Sequence, residues 1–347
     1  MKEKIRGCIE MPVKLALVGA GRMALESHLP AVMAYMQRCP GQLELTAVVE
    51  PNDEKRSMIL RKYGWQYGFP TVTEMLKSVQ PDASLTLTPY WLNAEVSIEL
   101  IEAGINVLME KSCGMNTGEA RTLIDAANRT GCVAQVGFNR RHWAALKLAI
   151  DWLREGGEPV QYMRGTKHRT RVGRPDEDYV FYTAIHVIDT LLSVGGEPAE
   201  CVTIRTPIPG VPDCVNNAWN FISTIRFVNG YGATMSALPV VSYNQELYEF
   251  HTLASTVIVN QHWGSPEDAE VFEYKKNELY RKVKLPKVEN GLYVDGFYDQ
   301  FETFIKAVAG RGEAYPTVSQ CLRTIELSEA VRDGRTWRAD DKKQSCD

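Results

Sequence analysis

Between residues 13 and 140 the chain alternates short, wholly apolar runs with stretches whose apolar side chains recur every three or four positions. The run 13–18 ends in glycine. Beyond it Leu25, Leu29, Val32, Met33 and Met36 fall on one face of a helix over 24–36. The same reading predicts strands over 43–49, 83–88, 106–110 and 133–138. It predicts helices over 53–63, with Asp53 as N-cap, and over 73–79, 94–103 and 117–130. Strands that are apolar throughout, with helices between them, belong to a parallel, doubly wound sheet covered on both faces.

The texture changes after about residue 145. A helix over 144–154 leads to a strand over 160–167 and a basic, loop-like segment reaching 178. A strongly apolar helix follows over 179–194. Strand-like runs then succeed one another at 201–206, 219–228, 232–239, 247–253, 256–259, 271–274 and 279–283, and Asn229-Gly230 marks a hairpin. Consecutive strands joined by short turns imply an antiparallel sheet, and helices over 294–309 and 318–332 close the chain. The pattern divides the chain into a dinucleotide-binding domain over 12–140 and a second α/β domain over 141–337. The extreme ends are expected to be loose tails.

At 347 residues, 44% hydrophobic and 24% charged, the chain can bury a full core, which excludes disorder as its main state. A net charge of −4 without a basic stripe argues against a general nucleic-acid binder. No apolar run approaches the roughly 18–20 residues that span a bilayer, and no secretory apolar region is seen. Eight cysteines are scattered without a CxxC pair or zinc-ligand spacing, so reduced thiols, no metal and a cytoplasmic setting are expected.

Gly19-Ala20-Gly21-Arg22-Met23-Ala24 directly follows a strand and opens a helix. Such a loop lets backbone approach a pyrophosphate at Gly19 and Gly21, with the N–H groups around Arg22 and Met23 facing the phosphates. A glycine turn can also join strand to helix for structural reasons alone. Glu50 ends the second strand, where a carboxylate accepts from adenosine ribose hydroxyls and repels a 2′-phosphate. That favours NAD, while Arg22 leaves NADP open. Its spacing from the glycines is long, and 38–42 reads as the insertion responsible.

Lys111 follows Glu110 at the carboxyl end of a strand, where ligands of doubly wound sheets bind. A lysine there can move a proton if burial lowers its pKa, although a strand-end lysine is more often solvated. In the apolar helix Tyr182, His186 and Asp189 share one face, and Asp189 is placed to orient the histidine. A core histidine held by a carboxylate would give the same pattern.

Four blocks, LALVGAGRMA, LTLTPYWLNAEVSIELIEAGINVLMEKS, GEARTLIDAANRTGCVAQVGFNRR and FYTAIHVIDTLLSVGGEP, resemble the Gfo/Idh/MocA oxidoreductases over nearly the whole chain. The resemblance implies a Rossmann domain and an α/β domain with a large, mostly antiparallel sheet that helps build homodimers or homotetramers. It implies oxidation of a sugar, polyol or cyclitol hydroxyl with NAD(P), or reduction of the matching carbonyl. The family's catalytic lysine falls on Lys111 and its histidine on His186. Thr88 and Pro89 match the turn near the nicotinamide, Glu110 the residue near its ribose, and Asn93 a position often held by histidine. Asn139, Arg169, Arg171 and Arg174 are the further candidates for substrate contact.

The sequence departs from the family at Ser112, where proline is usual, and at Tyr182, where the family has an aspartate. Tyr182 offers a hydroxyl but no carboxylate, so Asp178 or Asp189 is expected to compensate. The departure keeps two rivals in view. One is a redox-neutral NAD-dependent sugar enzyme acting by oxidation and elimination or by epimerisation. The other is a non-catalytic NAD-binding sensor, against which the retention of Lys111 and His186 argues.

Overall fold

A computed structural model of the chain describes residues 11–170, 177–210, 219–261, 267–286 and 295–339. Its first sheet contains β1 (Val13–Val18), β2 (Leu43–Val49), β3 (Tyr67–Phe69), β4 (Ala83–Thr86), β5 (Asn106–Glu110) and β6 (Ala134–Gly137). The strands run parallel in the order β3-β2-β1-β4-β5-β6. The order reverses between β1 and β4, which opens a crevice at the carboxyl ends of those strands. β1, β4, β5 and β6 are buried along almost their whole length, as continuous apolar runs require.

The expected helices form with small shifts. The helix after β2 spans Asp53–Tyr63, but its cap is Asn52, whose side chain accepts from the Lys55 N–H at 2.9 Å; Asp53 is the first helical residue. Two adjacent residues could cap, and the extended backbone of Asn52 decides between them. The helix after β1 opens as a π-turn, Ala24–His28, and continues as Leu29–Arg38. β3 was not foreseen: its three residues are partly or fully exposed and carry no burial pattern.

The second sheet has nine strands: β7 (Tyr162–Thr170), β8 (Pro198–Pro207), β9 (Trp219–Phe227), β10 (Gly232–Leu238), β11 (Val240–His251), β12 (Thr256–Gln261), β13 (Glu267–Lys275), β14 (Glu278–Pro286) and β15 (Trp337–Arg338). Their order is β14-β13-β12-β11-β7-β10-β9-β8-β15, antiparallel except for the pair β7 and β10. Helices Ala144–Gly156, Ile185–Gly195 (which opens as a π-turn, Val180–Ala184) and Leu322–Asp333 cover one face and share its apolar core. Gly165 in β7 permits this closeness, because a Cβ there would lie 2.3 Å from Val187.

The chain end ties the two sheets together. Helix Phe297–Val308 returns to the first sheet, where Phe297, Phe301, Phe304 and Ile305 pack with Leu15, Leu17, Leu29 and Tyr35. In helix Leu322–Asp333, Ile325 joins the core of Val136, Phe181 and Ile185, while Leu327 and Val331 join that of the second sheet. Helix Ile185–Gly195 is thereby fixed against the carboxyl end of the parallel sheet. Among the described residues five cysteines are free, and no helix is long and apolar enough to cross a membrane.

Candidate active site

The glycine loop shows two different demands for glycine. Gly19 has φ +94°, and a Cβ would lie 2.6 Å from the Leu87 carbonyl oxygen, so the fold itself needs glycine there. Around Gly21 nothing lies within 4 Å of where a Cβ would be. Its bare backbone faces open space next to the helix opening at Met23, and Ala24 is fully buried as close helix–strand packing requires. Space beside Gly21 with crowding beside Gly19 fits a pyrophosphate lying against the loop. Glu50 reaches the same loop, accepting from the Ala20 N–H at 2.9 Å and the Asn52 N–H at 3.0 Å. Arg22 is exposed and pairs with Glu26 at 3.1 Å, which blunts its charge.

The far side of the crevice is built on β4 and β5. Pro89 accepts from the Leu92 N–H at 2.8 Å and closes a turn. Thr88 Oγ1 donates to Asn93 Oδ1 at 2.7 Å, and Asn93 Nδ2 donates to the Glu110 carbonyl at 2.9 Å. Glu110 itself is buried, its Oε1 2.7 Å from His28 Nε2, while its Oε2 accepts the Lys111 N–H at 3.2 Å. Burial pushes Glu110 up, but the hydrogen bond of His28 and the Lys111 charge outweigh it and hold the carboxyl below its ordinary value. His28 was not anticipated. It lies 82 residues from Glu110, and its place seven residues after Gly21 carries no signal without the fold.

Lys111 points from the end of β5 to the helix of the second sheet, where its ammonium donates to the Tyr182 carbonyl and lies 4.9 Å from the Tyr182 ring centre. Burial lowers its pKa to about 8; Glu110 opposes the shift, and the charges of Arg140 and Lys167 add to it. The Lys111–Ser112 peptide is cis, and Ser112 Oγ donates to the Gly114 carbonyl at 2.8 Å.

His186 follows one turn after Tyr182, buried, and its Nδ1 has no hydrogen-bond partner among the described residues. Burial, and then the charges of Arg140, Lys111 and Lys167, hold its pKa well below the usual histidine value, so the imidazole is neutral at neutral pH. Beside it lies a buried ionic system absent from the sequence reading. Glu246, on β11, accepts from Arg140 at 3.0 and 2.8 Å, from Tyr248 at 2.8 Å and from the Lys167 ammonium. Burial lowers Lys167 to about 8 despite Glu246.

Several expected roles go elsewhere. Asp189 does not orient His186: it takes a two-pronged bond from Arg141 at 2.9 and 2.7 Å and accepts from Thr324 at 2.9 Å. Asp178 caps the helix start, accepting from Val180 at 3.0 Å and Phe181 at 3.2 Å. Neither carboxylate supplies the missing aspartate. Asn139 is spent on the Asp295 carbonyl at 2.8 Å and on Arg140 at 3.0 Å, and Arg169 pairs with Glu177 at 2.5 Å beneath the Tyr182 ring. Arg171 and Arg174 lie outside the described residues.

Residues 13–138 match the model of an oxidoreductase family with an NAD-binding Rossmann fold, Gfo/Idh/MocA. D-glucoside 3-dehydrogenase of Escherichia coli (strain K12) is 30% identical over 54% of this chain and 55% of its own length. The chain thus spans about half of that relative. Scyllo-inositol 2-dehydrogenase (NAD(+)) of Bacillus subtilis (strain 168) is 22% identical over 94% of this chain and 89% of its own. The structure of a levoglucosan dehydrogenase in complex with NADH superposes with a TM-score of 0.79 at 20% identity, covering 94% of this chain and 99% of that one. Over residues 13–138 the chain carries the NAD-binding Rossmann fold of the Gfo/Idh/MocA oxidoreductases.

The two glycines separate fold from ligand. Gly21→Ala is expected to leave thermal unfolding unchanged and weaken NAD binding at least tenfold, read by quenching of protein fluorescence. Gly19→Ala is expected to destabilise the protein by about 1–3 kcal/mol. Equal effects of both variants on stability would contradict the assignment.

Proposed function

We propose that the protein is an NAD-dependent dehydrogenase acting on a hydroxyl of a sugar, polyol or cyclitol, or on the matching carbonyl. The observation that carries this is a desolvated lysine at the carboxyl edge of the glycine-loop sheet whose ammonium binds the Tyr182 carbonyl, one helical turn before a buried, neutral histidine. The substrate class rests on the relatives, which are named for D-glucosides and scyllo-inositol.

In this reading the backbone at Gly19, Gly21, Arg22 and Met23 holds the pyrophosphate, and Glu50 takes the adenosine ribose hydroxyls. Thr88, Pro89, Asn93 and Glu110 line the nicotinamide half. NAD, when bound, supplies the hydride acceptor. Lys111 Nζ takes the hydroxyl proton as the alcohol is oxidised and returns it on reduction, a task suited to an amine lowered to about 8. His186, kept neutral by burial, shares that proton. Tyr182 contributes its hydroxyl and a ring that positions Lys111, and Arg169 with Glu177 braces that ring.

The protein is further proposed to work in the cytoplasm as a homodimer or homotetramer. Free cysteines support the first point. An exposed apolar strip, Val202 and Ile204 on β8 beside Ile222 on β9, supports the second.

Lys111→Ala is expected to lower kcat by about 10²–10⁴ on any sugar the wild type oxidises while leaving NAD affinity within about twofold. Loss of less than about tenfold would remove Lys111 from the chemistry. Ile204→Glu is expected to shift the protein to a smaller species in light scattering after gel filtration; an unchanged mass would place the interface elsewhere.

A further inference from the structure

Trp91 and Leu92 sit in the turn between β4 and helix Asn93–Glu102, with 49% and 37% of their surface exposed. Leaving a tryptophan half in water forgoes the burial that such a ring normally contributes, and here it is not isolated. The Trp91 ring stands edge-to-face on Tyr90, centres 4.9 Å apart at 80°. Tyr90 in turn lies 5.9 Å from the Tyr182 ring. Tyr90 cannot swing away, because its hydroxyl accepts the Asp178 N–H at 2.9 Å and so ties the β4 turn to the helix of the second sheet. At the other end of the line the Lys111 ammonium rests 4.9 Å from the centre of Tyr182. Three aromatic rings therefore run without a break from the proposed catalytic amine to solvent.

The chemistry of such a wall is specific. The flat side of a pyranose presents C–H bonds with slight positive charge, which favour the negative face of an aromatic ring, and the contact also removes apolar surface from water. In the dehydrogenase reading a sugar ring reacting at Lys111 comes within reach of Tyr182, whose ring centre is 4.9 Å from the ammonium. Beyond it two further ring-to-ring steps, of 5.9 and 4.9 Å, lead to Trp91. A monosaccharide leaves that part of the wall wet.

We propose that Trp91, backed by Tyr90, forms a second sugar subsite, so that the preferred substrate is a glycoside whose second pyranose ring stacks on Trp91. This rests on the dehydrogenase reading above and deepens it. Among the described residues Arg169 pairs with Glu177 beneath Tyr182 and Asp178 presents its backbone to Tyr90. Among the described residues the exposed side chains of the wall, Trp91 and Leu92, are apolar, which suits a neutral sugar.

The test uses the 347-residue chain with NAD and matched pairs of probes: glucose and cellobiose, galactose and lactose, mannose and mannobiose. For at least one pair the wild type is expected to show a KM about tenfold lower for the disaccharide, a contact energy within the range of an aromatic stacking pair. Trp91→Ala is expected to erase that advantage with kcat and monosaccharide KM within twofold, and Trp91→Phe to restore most of it. Equal KM values within every pair in the wild type overturn the proposal. So does a Trp91→Ala effect that falls equally on both members or on NAD affinity. If no probe is oxidised although NAD binds, the dehydrogenase reading fails by itself, and fluorescence titration still decides the subsite. A disaccharide-induced change that Trp91→Ala abolishes supports it; no disaccharide-induced change in the wild type overturns it.

Discussion

The Lys111 ammonium leaves the end of β5 in one sheet and lands on the Tyr182 carbonyl at the start of a helix that covers the other. Burying a charged amine costs several kcal/mol if nothing replaces its water. Here the carbonyl, the face of the Tyr182 ring and the neighbouring Glu110 replace part of that water. The replacement is incomplete, which is why the amine titrates low enough to release a proton. Glu110 serves in turn because His28, from the helix after the glycine loop, holds it. The helix after the glycine loop, the strand end and the second sheet's helix are thus coupled through a few buried polar contacts.

Larger buried charges hold this geometry from behind. Arg140 and Arg141 are consecutive, yet Arg140 grips Glu246 on the second sheet and Arg141 grips Asp189 on the helix. Two-pronged guanidinium–carboxylate contacts fix direction as well as distance. Removing one partner from such a pair would strand a charge in the interior at about 3–5 kcal/mol. The helix that carries Tyr182 and His186 is therefore held in position by the segment that ends the parallel sheet. Burial, with the charges of Arg140, Lys111 and Lys167, keeps His186 uncharged.

Much of the fold was legible in the sequence because it depends on local period. Apolar runs, helical spacing and the strand–glycine–helix junction gave the parallel sheet, and the Asn229-Gly230 turn gave part of the antiparallel one. The positions of Lys111 and His186 were legible by resemblance. Their environment was not, since it depends on partners far apart in the chain: Glu110 with His28 across 82 residues, Arg140 with Glu246 across 106. Asp189 shows the limit well. The phase of the helix placed it on the face of His186, but nothing in that phase revealed Arg141, which takes both of its oxygens. Trp91 was passed over because a tryptophan after a Thr-Pro turn has no distinctive spacing.

The central claim is that the join between the two sheets tunes Lys111. Its most direct measurement is the titration of Lys111 itself, by NMR of protein carrying ¹³C at lysine Cε, with the resonance assigned by its loss in Lys111→Arg. That control separates it from Lys167, which is also lowered. The account predicts a midpoint at about 8. A midpoint near the ordinary lysine value of about 10.4 would mean that the amine is solvated, and would contradict the account.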